Sequence, residues 1–210
     1  MNKNYHLYNH LCQYGSVYSL KLFLKDSKAF VDWTEDNFEY VKYNPRKKVA
    51  REGLSITSLD GGVSGIPDLD SLYEYNLENN TTYTELDFNV PTPVFEYADL
   101  RRTVGVFEKY MFRTHILKLN PGGFFPPHRD LVSNFDSFRI IVPLLNVNPP
   151  YANFVVDGTI RNWEEGVMYF VDTAKLHYLF NSSFSPSYWI VVNVQTTEES
   201  VDTVLKYMIF

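Results

Sequence analysis

The sequence has few of the residues that would cross-link a chain or place it in a membrane. Cys12 is the single cysteine, so no intrachain disulfide can form. No apolar run approaches the roughly 18 residues of a membrane span, and the N-terminus lacks the apolar stretch of a signal peptide. These absences favour a reducing compartment. We therefore expect a cytoplasmic location and no membrane association.

Positive charge is also scarce. The 19 Lys and Arg residues are outnumbered by 25 Asp and Glu residues, which gives a formal net charge of −6. An acidic chain without a long basic stripe is poorly suited to binding a phosphate backbone, so we expect no nucleic acid partner. One basic cluster, Arg46-Lys47-Lys48 with Arg51, departs from this balance and is typical of a solvated loop.

Aromatic side chains, by contrast, are abundant, with 16 Tyr, 16 Phe and 3 Trp. Each buries a large area, so a chain of 210 residues can form a full hydrophobic core. We expect a single domain over residues 1–210. Its core would span 111–195, an N-terminal elaboration over 1–110 would pack on that core, and a helix capped by Thr197 would close the chain over 197–210.

The second half of the sequence predicts a β-sandwich. Short runs rich in β-branched and aromatic residues are separated by turn signals such as Pro121-Gly122-Gly123 and Asp157-Gly158. The runs cover residues 113–119, 138–145, 152–158, 166–172, 176–180 and 188–194. This spacing is typical of a jelly roll, the cupin-like sandwich also called a double-stranded β-helix.

The first half has a mixed pattern. Residues 16–28 suit a short amphipathic helix with Ser16 as its cap, and residues 53–59 alternate as a half-buried strand does. A loop follows over 60–70, and residues 93–110, which begin with Pro93, favour a helix. The expected class is mainly β (α+β), with an N-terminal helical layer on the sandwich.

A candidate metal site follows from the few histidines. Pro126-Pro127 hold the chain extended before His128, and side chains two apart in an extended segment project to the same side, so His128 and Asp130 can point at one spot. His177 starts a later strand that a jelly roll can place alongside. Two imidazoles and one carboxylate with open positions are the ligand set of a non-haem Fe(II) oxygenase.

The competing interpretations are structural. An H-x-D sequence by itself is often a capped turn, and His115, within a strand, is typical of a strand histidine rather than a ligand. Arg139 lies in a strand that is otherwise apolar, where an unpaired charge is costly. Its partner would be a structural carboxylate, Asp136 or Asp172, or the carboxylate of a cosubstrate held beside the metal.

Residues 113–195 resemble the aspartyl/asparaginyl β-hydroxylase group of the Fe(II)/2-oxoglutarate dioxygenases. The matching pieces, in order, are LNPGGFFPPHRD, RIIVPL, RNWEEGVMYFVDT and His177. The resemblance implies that His128, Asp130 and His177 bind Fe(II), although some hydroxylases of this group lack the carboxylate. It also implies that Arg139 contacts 2-oxoglutarate near its metal-chelating end.

The sequence departs from this family at one position. The family usually places an arginine about ten residues after the distal histidine, where it anchors the far carboxylate of 2-oxoglutarate. Here Ser187 and Tyr188 occupy that region, and no Lys or Arg occurs between Lys175 and Lys206. The hydroxyl of Tyr188 is one candidate replacement, and Arg113 and Lys118 on an earlier strand are others.

Three functions fit these observations. The first is an Fe(II)- and 2-oxoglutarate-dependent hydroxylase that uses O₂ on a small-molecule or peptide substrate, such as an amino acid or a peptidyl Asp or Asn side chain. The second is a cupin-like metal-binding protein or oxygenase that does not use 2-oxoglutarate, which the missing arginine favours. The third is a binding module without activity, against which the intact H-x-D…H set argues.

Overall fold

The computed structural model describes residues 3–130 and 135–208. Its strands are β1 (Val17–Phe23), β2 (Val41–Lys42), β3 (Arg51–Ser55), β4 (Thr57–Ser58), β5 (Val90–Pro91), β6 (Met111–Leu119), β7 (Phe124–His128), β8 (Ser137–Leu145), β9 (Ala152–Val156), β10 (Thr159–Ile160), β11 (Val167–Val171), β12 (His177–Asn181) and β13 (Ser187–Gln195). Its α-helices are α1 (Lys3–Cys12), α2 (Ser27–Asn37), α3 (Leu72–Asn79), α4 (Ala98–Thr103) and α5 (Glu198–Tyr207). Short 3-10 helices span Glu85–Asp87, Pro93–Glu96 and Val104–Tyr110.

Two antiparallel sheets form the body of the protein. The larger has the order β1-β11-β8-β13-β6-β3-β2 and the smaller the order β10-β9-β12-β7. From β6 onwards the chain crosses repeatedly between the sheets, so that β6, β8, β11 and β13 lie in one and β7, β9, β10 and β12 in the other. This is the predicted jelly roll, or double-stranded β-helix.

The strands of the larger sheet separate two hydrophobic cores. On β13, Trp189 packs between the sheets with Leu117 and Phe154, whereas Ile190 and Val192 pack on the opposite face. That opposite face is covered by the helices, through residues such as Leu11, Phe30, Leu100 and Val204. Because side chains alternate along a strand, odd-numbered residues of β13 face the inside of the jelly roll and even-numbered residues face the helical layer.

The N-terminal half contributes strands as well as helices. β1 pairs with β11 at one side of the larger sheet, and β3 pairs with β6 towards the other. The register of β3 places Arg51 opposite Leu119 and Gly53 opposite Leu117. The elements before residue 111 therefore extend the same sheet that carries half of the jelly roll.

The helix predicted over residues 16–28 is wrong. Residues 17–23 form β1 instead, and helix α2 begins only after Asp26, whose side chain accepts a hydrogen bond from the Ala29 amide at 2.8 Å. The reason is the period of the apolar residues. Tyr18, Leu20 and Leu22 recur at every second position and pack in the helix-facing core, which is the pattern of a strand.

Most of the other predicted elements are confirmed. The six C-terminal strands lie within about two residues of their predicted bounds, α5 has Thr197 as its N-cap, and Asp157-Gly158 turns with positive φ at both residues. The predicted strand over 53–59 is split into β3 and β4, and the helical segment over 93–110 is split into three pieces. Over residues 3–130 and 135–208, no helix combines the length and apolarity of a membrane span.

Candidate metal centre and its pocket

The structure brings the three predicted metal ligands together on the smaller sheet. His128 is the last residue of β7, His177 is the first residue of β12, and the two lie opposite each other in the antiparallel pair. Their ring centroids are 4.2 Å apart. Asp130 follows β7, and its amide donates to the Thr173 carbonyl at 2.9 Å in the turn before β12. One ligand atom from each side chain lies within 4.8 Å of the others.

Backbone carbonyls orient both imidazole rings. The Nδ1 of His128 lies 2.7 Å from the Pro126 carbonyl, and the Nδ1 of His177 lies 3.0 Å from the Lys175 carbonyl. A carbonyl oxygen can only accept, so Nδ1 carries the proton and the Nε2 lone pair is left for a metal. Burial also lowers the pKa of His177, which favours its neutral, metal-binding form. The donor set suits Fe(II).

A cavity of about 210 Å³ opens beside these ligands, between the two sheets. Its apolar lining includes Leu117, Phe154, Leu179 and Trp189, and its polar residues other than the three candidate ligands are Tyr43, Glu85, Arg113, His115, Arg139, Thr173 and Asn193. The polar residues on the larger sheet include Arg113, His115, Arg139 and Asn193. A ligand in this cavity would therefore meet arginines and neutral polar groups on the larger sheet, the Glu85 carboxylate paired with Arg113, and the candidate metal ligands on the smaller sheet.

Arg139 lines the cavity from β8, but neither predicted structural carboxylate is its partner. Its Nε lies 3.6 Å from Asp130 Oδ2, and Nη1 donates to the Ser137 hydroxyl at 3.2 Å. Asp172 instead accepts a hydrogen bond from Tyr8 at 2.7 Å. The nearest charge to Arg139 is thus the carboxylate of the metal motif, and the guanidinium faces the space beside it.

Arg113 also lines the cavity, at a bulge in β6 where the register with β13 shifts. Its φ of 43° lies in the left-handed region, as at other bulges that redirect a side chain. Its guanidinium donates to the carbonyls of Asp68 and Asp70 and forms an ion pair with Glu85. Arg113 is therefore largely committed to protein partners at the rim.

The predicted contact between Tyr188 and the cosubstrate needs correction. Tyr188 is an even-numbered residue of β13, and its hydroxyl donates to Glu35 at 2.9 Å on the helix-facing side of the sheet. Lys118, its register partner, pairs with Glu35 as well. Ser187 does face inward, but its hydroxyl accepts from the Trp189 indole at 2.7 Å. Tyr188 and Lys118 lie on the wrong face of the sheet to reach the cavity.

His115 and Asn193 are among the cavity-wall residues that were not predicted as site residues. His115 is a strand histidine, as expected, but it also faces the cavity, with Nδ1 3.1 Å from the Arg113 carbonyl. Asn193 donates to the same carbonyl at 2.7 Å, and its buried Oδ1 has no partner within the described part of the chain. The alternation of β13 would have placed Asn193 on the same face as Trp189.

Arg51 corrects the prediction of a solvated basic loop. Arg46, Lys47 and Lys48 are exposed, and Arg46 pairs with Asp70. Arg51, however, begins β3 and is 5% exposed. Its guanidinium lies over the Phe125 ring, 4.0 Å from the centroid. A basic run in the sequence does not distinguish a loop arginine from one that a strand turns inward.

Comparison with known families confirms the resemblance. Residues 94–196 match the family model described as Aspartyl/Asparaginyl beta-hydroxylase, and this segment includes all three ligands and Arg139. No curated protein sequence matches the chain.

Several solved structures are similar to parts of the fold. An oxidoreductase of the 2OG-Fe(II) oxygenase family from Burkholderia pseudomallei is 14% identical, with 80% of this chain and 77% of that chain covered at a TM-score of 0.45. A predicted oxalate decarboxylase from Thermotoga maritima is 18% identical, with 44% and 74% covered at 0.34. A Cupin 2 conserved barrel domain protein from Salinispora arenicola is 16% identical, with 44% and 69% covered at 0.30.

Proposed function

We propose that this chain, whose residues 94–196 match a hydroxylase family, is an Fe(II)- and 2-oxoglutarate-dependent dioxygenase. The observation that carries the proposal is the meeting of His128, Asp130 and His177 at the edge of a cavity between the sheets. Both rings are held by backbone carbonyls with Nε2 free to bind a metal. A side chain of an amino acid or peptide is the proposed substrate class.

In the proposed reaction, a substrate C–H bond, O₂ and 2-oxoglutarate yield a C–OH bond, succinate and CO₂. Fe(II), when bound, would supply the site at which O₂ and the 2-oxo acid react. His128, Asp130 and His177 would hold the ion and leave coordination positions open for these reactants.

The protein's own residues would bind and orient the 2-oxo acid and would exclude water from the site. Arg139, which lies beside Asp130, would bind the carboxylate at the chelating end of a 2-oxo acid, and a charge-assisted contact of this type contributes about 1.5–3 kcal/mol. The apolar inner wall, which includes Leu117, Leu179 and Trp189, would exclude water from the reacting groups. The substrate would then approach from the open side.

One observation favours the second function, a metal-binding protein or oxygenase that does not use 2-oxoglutarate. No Lys or Arg lies between Lys175 and Lys206, so β13 presents no cation to the cavity. In its place the bulky Trp189 packs against Phe154 and Trp163. If no other cation binds the far carboxylate, 2-oxoglutarate has no advantage over a simpler ligand.

An anaerobic titration tests the two functions against each other. The protein is loaded with Fe(II), and 2-oxoglutarate is added while the visible charge-transfer band of the chelate is followed. We expect the band in the wild type and its absence in the His177→Ala protein. Iron binding without a band would support the second function, and absence of iron binding would contradict both. His6→Ala is a matched control, because His6 lies outside the metal cluster.

A further inference from the structure

Arg51 is a buried cation without a carboxylate partner in the described residues. It is 5% exposed, and the only hydrogen bond of its side chain to those residues runs from Nη1 to the Phe124 carbonyl at 3.3 Å. Its Nε is buried and has no partner. The face of the guanidinium is covered by aromatic rings, at 4.0 Å from the Phe125 centroid and 5.2 Å from the Tyr43 centroid.

These contacts supply the Arg51 guanidinium with too few hydrogen-bond acceptors and with no anion. Stacking on aromatic faces is favourable, but it offsets only part of the cost of removing a charge from water when no anion or hydrogen bonds replace the solvent. Burial lowers the pKa of Arg51, but arginine remains charged in proteins. The edge of the guanidinium that carries Nε is therefore suited to receive an anion.

The sheet register places Arg51 close to the inner end of the cavity. Gly53, Leu117 and Trp189 form one row across β3, β6 and β13, and the latter two line the cavity. Arg51 belongs to the next inward-facing row, roughly 7 Å farther along the strand, a distance that an arginine side chain can span. Its guanidinium lies over Phe125 of the smaller sheet, so it points between the sheets.

Arg51 also shares a row with the position where the family arginine is absent. Leu119 pairs with Arg51 on one side and with Ser187 on the other, so all three side chains project from the same face. Both rings that touch the guanidinium, Tyr43 and Phe125, line the cavity as well. They form the boundary between Arg51 and a ligand in the cavity.

We propose that Arg51 binds the far carboxylate of a dicarboxylic 2-oxo acid whose chelating end lies at the metal centre. The proposal rests on the proposed function, and it assigns to a strand outside the matched segment 94–196 the cation that β13 lacks. Tyr43 and Phe125 pack edge-to-face with their ring centroids 5.7 Å apart, so the two rings separate when the carboxylate reaches Arg51 and accepts hydrogen bonds from Nε and an Nη. Arg51 thereby selects dicarboxylic over monocarboxylic 2-oxo acids.

The test compares two ligands that share a chelating end. 2-Oxoglutarate has a far carboxylate and 2-oxobutyrate has none. Binding to the Mn(II)-loaded protein is measured by calorimetry for the wild type, Arg51→Met and Arg51→Lys. We expect the wild type to prefer 2-oxoglutarate by tenfold or more, and Arg51→Met to lose that preference with 2-oxobutyrate affinity unchanged. Arg51→Lys should keep part of the preference, since it keeps the charge but not the bidentate geometry.

Arg161→Met is the matched control. Arg161 also has a buried Nε without a partner in the described residues. Neither arginine lines the cavity itself, but Arg51 lies against two rings that do, Tyr43 and Phe125. This variant should keep the preference for 2-oxoglutarate. A second measurement needs no substitution: the Nε–H resonance of Arg51 in the wild type should shift with 2-oxoglutarate and not with 2-oxobutyrate, so the test survives a variant that fails to fold.

The outcomes separate the inference from the function. If Arg51→Met binds 2-oxoglutarate as tightly as the wild type, or if the wild type shows neither a preference nor a resonance shift, Arg51 is a structural arginine and the inference is overturned. If neither 2-oxo acid binds the metal-loaded wild type, the proposed function itself fails.

Discussion

The cavity lies between two sheets, and its two walls are built in different ways. On the smaller sheet, His128 and His177 sit at strand ends, held by carbonyls two residues earlier in the chain. On the larger sheet, Arg139 and Asn193 lie within strands and have partners on other elements, Asp130 and the Arg113 carbonyl. The comparison teaches that the metal ligands are locally organised, whereas the opposite wall depends on tertiary structure.

The largest expected effect is on the metal content of the protein, which depends on the candidate ligands of the smaller-sheet wall. Replacing His128, Asp130 or His177 by Ala removes one of three ligands, so we expect metal content to fall from about one ion per chain to near zero. The thermal unfolding of the metal-free protein should change little for His128 and Asp130, which are partly exposed, and more for His177, which is buried. Elemental analysis measures the first quantity and calorimetry the second.

His115→Gln serves as the matched control, since His115 lines the cavity but is not part of the metal cluster. It should retain the metal. Equal metal content in the wild type and the His177→Ala protein would show that the site is wrongly assigned.

The next effect concerns the larger-sheet wall and its dependence on pH. Burial lowers the pKa of His115 from 6.5 to about 4. The unfolded chain therefore takes up a proton below pH 6.5 that the folded chain does not, and the free energy of unfolding falls as the pH drops. We expect a loss of about 3 kcal/mol between pH 7 and pH 4 from this group. Urea unfolding at both pH values measures it.

His115→Gln should lack this part of the pH dependence, because glutamine does not titrate. The difference in unfolding free energy between the two proteins should thus change with pH. A constant difference from pH 7 to pH 4 would mean that His115 titrates normally in the folded state.

A smaller effect is expected for Arg139. Its guanidinium is the cation closest to Asp130, so Arg139→Ala should weaken 2-oxoglutarate binding by about tenfold or more, equivalent to at least 1.4 kcal/mol. Binding is followed by tryptophan fluorescence, since Trp189 lines the same cavity. If Arg139→Ala binds 2-oxoglutarate as tightly as the wild type, Arg139 has only a structural role through its contacts with Asp130 and Ser137.

The smallest effect is expected for Tyr188→Phe. Because its hydroxyl donates to Glu35 on the helix-facing side, the affinity for 2-oxoglutarate should not change. The free energy of unfolding should fall by about 1 kcal/mol through the lost hydrogen bond. A weaker affinity for 2-oxoglutarate in this variant would contradict the assignment of faces on β13.

The same two walls differ in how far the sequence predicts them. The strands from residue 111 onwards follow from runs of β-branched and aromatic residues between strong turn signals. The placing of His128 and Asp130 follows from Pro126-Pro127, which fix an extended chain. These are local effects, and local effects are visible in a sequence.

The larger-sheet wall depends on register, which is not local. A shift of one residue moves a side chain to the other face, and this is why Tyr188 was assigned to the cavity and Asn193 was not. The bulge at Arg113 changes the register within β6 without a glycine to mark it. Arg51 lay in a basic run, and only the pairing of β3 with β6 shows that it points inward.

The pairing of β3 with β6 has a consequence for how such a protein can diverge. The metal ligands all come from the matched segment, whereas Arg51 and Tyr43 precede it by more than 40 residues. Replacing residues 41–55 alone would change the deep end of the cavity while the ion and its ligands stay the same. If Arg51 binds the far carboxylate as proposed, exchanging this short stretch would change the cosubstrate that the protein accepts without changing the residues that bind the metal.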